Sequence, residues 1–80
     1  METRKAVALR LIKLCEETGW TINKLATSSG VSPSTLKSIL YGNSQNPGVV
    51  TIKKLCDGLG ITLGQFFSAP EFDALEQELQ

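Results

Sequence analysis

The chain has no histidine and only two cysteines, Cys15 and Cys56, in 80 residues. That removes the commonest general base and the commonest metal ligand at once. Two isolated cysteines cannot build a tetrahedral zinc site without further ligands. No carboxylates cluster in a way that suggests acid–base work, so no enzyme and no cofactor are expected. Aromatic residues make up only 6% of the chain, and no apolar run approaches the roughly 20 residues of a membrane span. Charges at Glu2, Arg4 and Lys5 are not followed by a continuous apolar stretch, so no signal-peptide pattern is read. Both thiols fall on the apolar sides of predicted helices and are expected to be buried and reduced, as in a cytoplasmic protein.

The second half also lacks positive charge. Residues 1–54 hold all eight Lys and Arg against three acids, and residues 55–80 hold five acids and no base. The zero net charge therefore hides a split of +5 and −5. A positive half is the sign that nucleic-acid binding requires. A chain this short forms one small domain, which buries only about 60% of its unfolded surface.

Hydrophobic periodicity predicts helices throughout, with no strand alternation and no repeat. Helix 1 is expected from about Thr3 to Thr18, with Val7, Leu11, Leu14 and Cys15 inward and Ala8 and Ile12 beside them. Gly19 ends it. Helix 2 is expected over Ile22–Ser29 behind a Thr21 cap, and helix 3 over Pro33–Tyr41 behind Ser32. Gly30 stands where the chain reverses, and small Ala26 lets the two helices approach. After a polar loop, helix 4 is expected over Val49–Gly58, and a Thr62-capped helix 5 runs through Phe67. Ser68, Ala69, Pro70 and Glu71 then read as a new helix start, with Phe72, Leu75 and Leu79 on one face. Two readings stay open for this tail: a frayed end, or a helix packing on its own domain or on a second subunit. The domain limits expected are 1–68 for the compact unit and 69–80 for an acidic amphipathic tail.

Thr21 to Leu40 has the spacing of a helix-turn-helix, with Leu25, Val31, Leu36 and Ile39 between the helices. The wider sequence resembles the Cro- and phage-repressor-type (XRE) family. Gly19-Trp20-Thr21 matches that family's Gly-Leu-Thr opening. Leu25-Ala26, Gly30-Val31-Ser32, Leu36, Ile39 and Gly42 match its core. Pro47, Thr51, Leu55, Leu59-Gly60-Ile61-Thr62 and Phe66-Phe67 match its last two helices. The resemblance covers about Val7 to Phe67. It implies an all-α, five-helix lambda-repressor-like DNA-binding domain, with a short sixth helix at the C-terminus as the open option.

At about 100° per residue, Leu36, Ile39 and Leu40 share one side of helix 3, and Ser34, Lys37, Ser38 and Tyr41 point away. In the family, that outward face enters the major groove. Lys37 is the one charged residue between Leu25 and Ile52, and suits a guanine edge or a phosphate. Ser34 and Ser38 accept several bases. Tyr41 and Asn43 suit the sugar-phosphate backbone, and Thr21 with the start of helix 2 suits a phosphate. With Ser32 and Pro33 at the opening of helix 3, these residues form the expected DNA-binding set.

Three departures from the family stand out. Ile22 replaces a common phosphate-binding Gln. The loop carrying Asn43, Gln45 and Asn46 is neutral where the family is often basic, which is expected to lower affinity and flatten its salt dependence. Cys15 and Leu40 occupy the positions of an internal Arg–Glu pair, and are expected to touch in its place. The resemblance implies a transcriptional regulator, most readily a repressor. Its partners would be double-stranded DNA and a second copy on that DNA, with a protein partner open and no membrane involved. The competing reading is a protein-interaction module on the same scaffold, such as an antitoxin-like subunit.

Overall fold

The computed structural model describes residues 2–42 and 46–79. Six helices follow in order: α1 Thr3–Thr18, α2 Ile22–Ser29, α3 Pro33–Tyr41, α4 Val49–Leu59, α5 Leu63–Phe67 and α6 Pro70–Asp73. The described residues contain no strand. Local signals set the boundaries. Thr21 Oγ1 accepts the Lys24 N–H at 3.1 Å, and Ser32 Oγ accepts the Thr35 N–H at 3.2 Å. Thr62 and Gln65 form a reciprocal capping box at the start of α5, which fixes a helix of only five residues.

Gly30 carries the turn of the helix-turn-helix at φ 67°. Its N–H reaches Thr27 O, and the next N–H, of Val31, returns 3.1 Å to Ala26 O. This pairing closes α2 and needs a left-handed residue, which glycine adopts without strain. Val31 is thereby turned inward, where it is buried.

The core lies between the helices rather than beneath any one of them. Leu11, Leu25, Leu36, Leu55, Cys56 and Phe66 are fully enclosed. Helix α2 packs on α3 and α4, α1 packs on α3 and α6, and α5 packs on α4. The contact of α2 with α4 is close because Gly58 has no side chain. A Cβ there would run into Ser29 Oγ and stand 3.0 Å from both Ser29 Cα and Cβ. Gly58→Ala is therefore expected to destabilise. The overpacking cost of about 1–3 kcal/mol exceeds the roughly 1 kcal/mol that alanine returns in helix propensity. A melting curve checks it, since each kcal/mol moves Tm by about 4–8 °C at this size. An unchanged or higher Tm would mean that the two helices separate freely.

The structure corrects three expectations. Helix α4 extends one residue further, to Leu59. Cys15 is half-buried rather than buried, whereas Cys56 is enclosed as expected. The tail starts a helix at Pro70, but Ala69 and not Ser68 occupies the cap position, and the helix stops after Asp73. The expected face of Phe72, Leu75 and Leu79 is therefore not formed. Phe72 instead packs tilted against the buried Phe66 ring and edge-on to Phe67, with centroids 6.0 Å and 5.0 Å away. That packing, with Ala69 buried beside it, anchors the first part of the tail and redirects the rest. The chain returns to the start of α1, where Thr3 Oγ1 donates to Glu78 at 2.6 Å.

Candidate nucleic-acid interface

Helix α3 divides cleanly into two faces. Leu36, Ile39 and Leu40 are buried, and Ser34, Thr35, Lys37, Ser38 and Tyr41 are exposed. Tyr41, at the end of the helix, is 67% accessible. Ser32 and Pro33 are exposed at the first turn. The Ser32 hydroxyl is engaged locally: it accepts from Thr35 N–H and lies 2.8 Å from Thr35 Oγ1. Thr21 is exposed, and its hydroxyl caps α2. Seven of the eight expected contact residues are thus exposed; Asn43 lies outside the described residues.

Beside α3 runs a groove of about 300 Å³, walled by Ser34, Thr35, Ser38 and Ile39 on one side and by Asn46, Pro47, Gly48 and Thr51 on the other. That second wall includes the start of α4. Gly48 is the N-cap there and offers no side-chain hydrogen bond to the first turn. The N–H groups opening α4 are thus left for an external acceptor, and a helix N-terminus favours an anion. Sequence reasoning missed Thr35, Gly48 and Thr51. A usable signal was present in the run Gly48-Val49-Val50-Thr51, a helix start with no Ser, Thr, Asn or Asp at its cap.

The basic residues are divided in their tasks. Arg10 is committed to the fold, with Nε 2.7 Å from Phe66 O and Nη2 2.9 Å from Gln65 O. Lys24 lies over the Trp20 ring, 5.5 Å from its centroid, and Lys53 pairs with Asp57. Lys37 stands exposed in the middle of the outward face of α3. Burial pushes both thiols up from their ordinary pKa, and the Asp57 charge adds to this at Cys56. Protonated thiols are poor nucleophiles. Among the described residues, no group of three Cys, Asp or Glu is placed to hold a metal, and no helix is long and apolar enough to cross a membrane.

The sequence matches the Cro/C1-type HTH DNA-binding domain over residues 10–71, a span that takes in α2, the turn, α3 and the α4 groove. The chain belongs to that family. It is similar to the HTH-type transcriptional regulator SutR of Escherichia coli (strain K12), with 34% identity over 61 residues, 76% of this chain and 34% of that one. It is also similar to the HTH-type transcriptional regulator SlrR of Bacillus subtilis (strain 168), with 41% identity over 61 residues, 75% of this chain and 40% of that one. The chain thus spans between a third and two fifths of the length of these curated relatives. The crystal structure of the prophage Lp1 protein 11 superposes with a TM-score of 0.81 at 34% identity, covering 94% of this chain and all of that one. The matched span runs from within α1 to the start of α6 and so takes in α2 to α5 entire, with α4 packed on α2 and α5 on α4.

Proposed function

We propose that this Cro/C1-type chain binds double-stranded DNA sequence-specifically through α3 and regulates transcription, as a repressor. The carrying observation is the outward face of α3, where exposed hydroxyls surround one free lysine while Leu36, Ile39 and Leu40 are buried on the opposite face. Small side chains let the helix sit deep in the major groove, and Lys37 donates to a guanine edge. Ser34 and Ser38 line the same groove, with Ser32 and Pro33 setting where α3 begins. Tyr41 and Asn43 meet the sugar-phosphate backbone. Thr21 with the opening of α2, and Gly48 and Thr51 at the opening of α4, receive phosphates on either side.

One short reading helix gives little discrimination, so the chain acts as a homodimer on DNA, with its two α3 helices about 34 Å apart. Residues 1–68 are the DNA-binding unit in this reading, and 69–80 an acidic tail. The site of action is the cytoplasm, where the DNA is. Selection of bound genomic fragments followed by sequencing tests it. Enriched fragments are expected to share a two-fold motif with half-sites one helical turn apart. Enrichment no better than that of random fragments would favour an interaction module instead.

A further inference from the structure

The acidic tail returns to a basic stretch. Helix α1 opens with Arg4 and Lys5 and no acid in its first turn, behind Glu2, whose side chain makes no capping hydrogen bond. Cations at a helix N-terminus face its positive end, which is unfavourable. Glu2 is turned to Arg4, with Oε2 3.0 Å from Nε. The tail brings a further carboxylate from 75 positions away: Glu78 accepts from Thr3 Oγ1 at 2.6 Å. Glu76 and Glu78 share a hollow of about 310 Å³ with Lys5. Glu78 also lines a larger cleft of about 770 Å³, together with Arg4, Asn46, Pro47 and Val49. Asn46 and Pro47 belong to the α3–α4 groove as well. The tail carboxylates thus lie beside the first cations of α1 and at the margin of the surface read above as meeting DNA.

The hold on this segment is light. Beyond the end of α6, Glu76, Gln77 and Glu78 are exposed, and Leu79 is 86% accessible. Phe72 packs at the root of the tail, and Thr3 fastens its far end through one hydroxyl. A segment with so few buried apolar contacts opens at little free-energy cost.

We propose that residues 74–79 form an autoinhibitory strap, whose carboxylates cover the basic start of α1 and the approach to α4 and are displaced when DNA binds. The inference rests on the DNA reading above and adds a brake to it. The strap carries only negative charge, whereas residues 1–54 carry +5. Carboxylates within a Debye length of the incoming backbone, about 8–10 Å, repel its phosphates. Cations that already face carboxylates also gain less when phosphate replaces them, so the strap lowers both the affinity and its salt dependence.

Neutralisation tests the strap. Glu76→Gln combined with Glu78→Gln is expected to bind duplex DNA about three- to tenfold more tightly than the wild type at low salt, with a salt slope steeper by about one unit. Thr3→Val keeps every charge and removes only the fastening hydroxyl, and is expected to gain about twofold or more. Glu71→Gln combined with Asp73→Asn removes the same charge from the root of the tail, and is expected to gain less than about twofold. Proton NMR of the free protein gives a reading without DNA: cross-relaxation between the Thr3 methyl and the Glu78 side chain is expected, and is lost when duplex is added. Wild-type affinity in the Glu76 and Glu78 double variant or in Thr3→Val would overturn the strap. So would an equal gain from the Glu71 and Asp73 pair, or a free protein in which Thr3 and Glu78 do not meet. If they do meet but no form retains duplex at low salt, the DNA reading is overturned, and the brake with it.

Discussion

Leu40→Glu is expected to lower stability by about 3–5 kcal/mol, the scale of an unpaired charge left in a protein interior. Leu40 is only 9% exposed. It lines a shallow, mostly apolar hollow of about 320 Å³ with Ile12, Cys15, Trp20 and Ile22. No cation lines that hollow, and its one charged neighbour, Glu16, has the same sign as the new carboxylate. A domain of this size has roughly 5–15 kcal/mol in total, so the loss places the variant near unfolding. The penalty is expected to depend on pH with a definite sign. Burial raises the folded carboxyl above its unfolded value of about 4.3, so the folded variant holds a proton that the unfolded chain has released. Its stability relative to the wild type therefore falls as pH rises through that window and recovers as pH is lowered. Cys15 lines the same hollow, so Cys15→Arg combined with Leu40→Glu is expected to recover part of the loss. Thermal melts of the single and double variants between acid and neutral pH check this. A Leu40→Glu protein that melts like the wild type would place that side chain on the surface.

Arg10→Ala is expected to cost about 2–3 kcal/mol, from the loss of a charged donor shared by two backbone carbonyls. Helix α5 ends at Phe67 and is followed by Ser68, which is not left-handed, so its last carbonyls lack the glycine closure seen after α1, α2 and α4. The guanidinium fork supplies the substitute, holding Gln65 O and Phe66 O while its carbon lies 5.9 Å from the Phe66 ring centroid. The contact joins residues 56 apart in sequence and secures α5 to α1. Arg10→Lys is expected to recover less than half, since an ammonium cannot reproduce the planar fork. Urea unfolding measures both. A loss under about 0.5 kcal/mol for Arg10→Ala would assign the end of α5 to other contacts.

These two sites differ in how visible they are in the sequence. Leu40 belongs to an amphipathic helix whose period is written locally, as are the caps Thr21, Ser32 and Thr62 and the glycine stops. The limits of α1, α2 and α3 follow from such short-range signals. Arg10 gives no such hint, because its partners are backbone carbonyls supplied by the fold. The tail failed for a related reason. Pro70 and the acids after it do start a helix, but it stops after Asp73, and Phe72 packs against Phe66 and Phe67, a tertiary contact that the local sequence does not announce. The outward face of α3 was legible from periodicity alone, whereas the α4 wall of the groove was not. Gly48 and Thr51 join the site only once α4 is laid beside α3. Cys15 was read as fully buried because it follows the α1 period. It stands one turn from the Gly19 stop, where that helix runs out of neighbours.

The central claim is that α3 reads DNA, and the most direct measurement is a salt titration of Lys37→Ala and Ser38→Ala on a selected site and on a scrambled duplex. Both residues are exposed, so stability is expected to change by no more than about 0.5 kcal/mol in either variant. Lys37→Ala is expected to lose about 1–3 kcal/mol of affinity on the selected site and to relax selection at one base position. Had Lys37 met only phosphate, binding would weaken alike on all sequences, with the salt slope reduced by about one unit. Ser38→Ala is expected to alter sequence preference with a nearly unchanged slope. Two folded variants that bind both duplexes as the wild type does would contradict the claim and remove α3 from the interface.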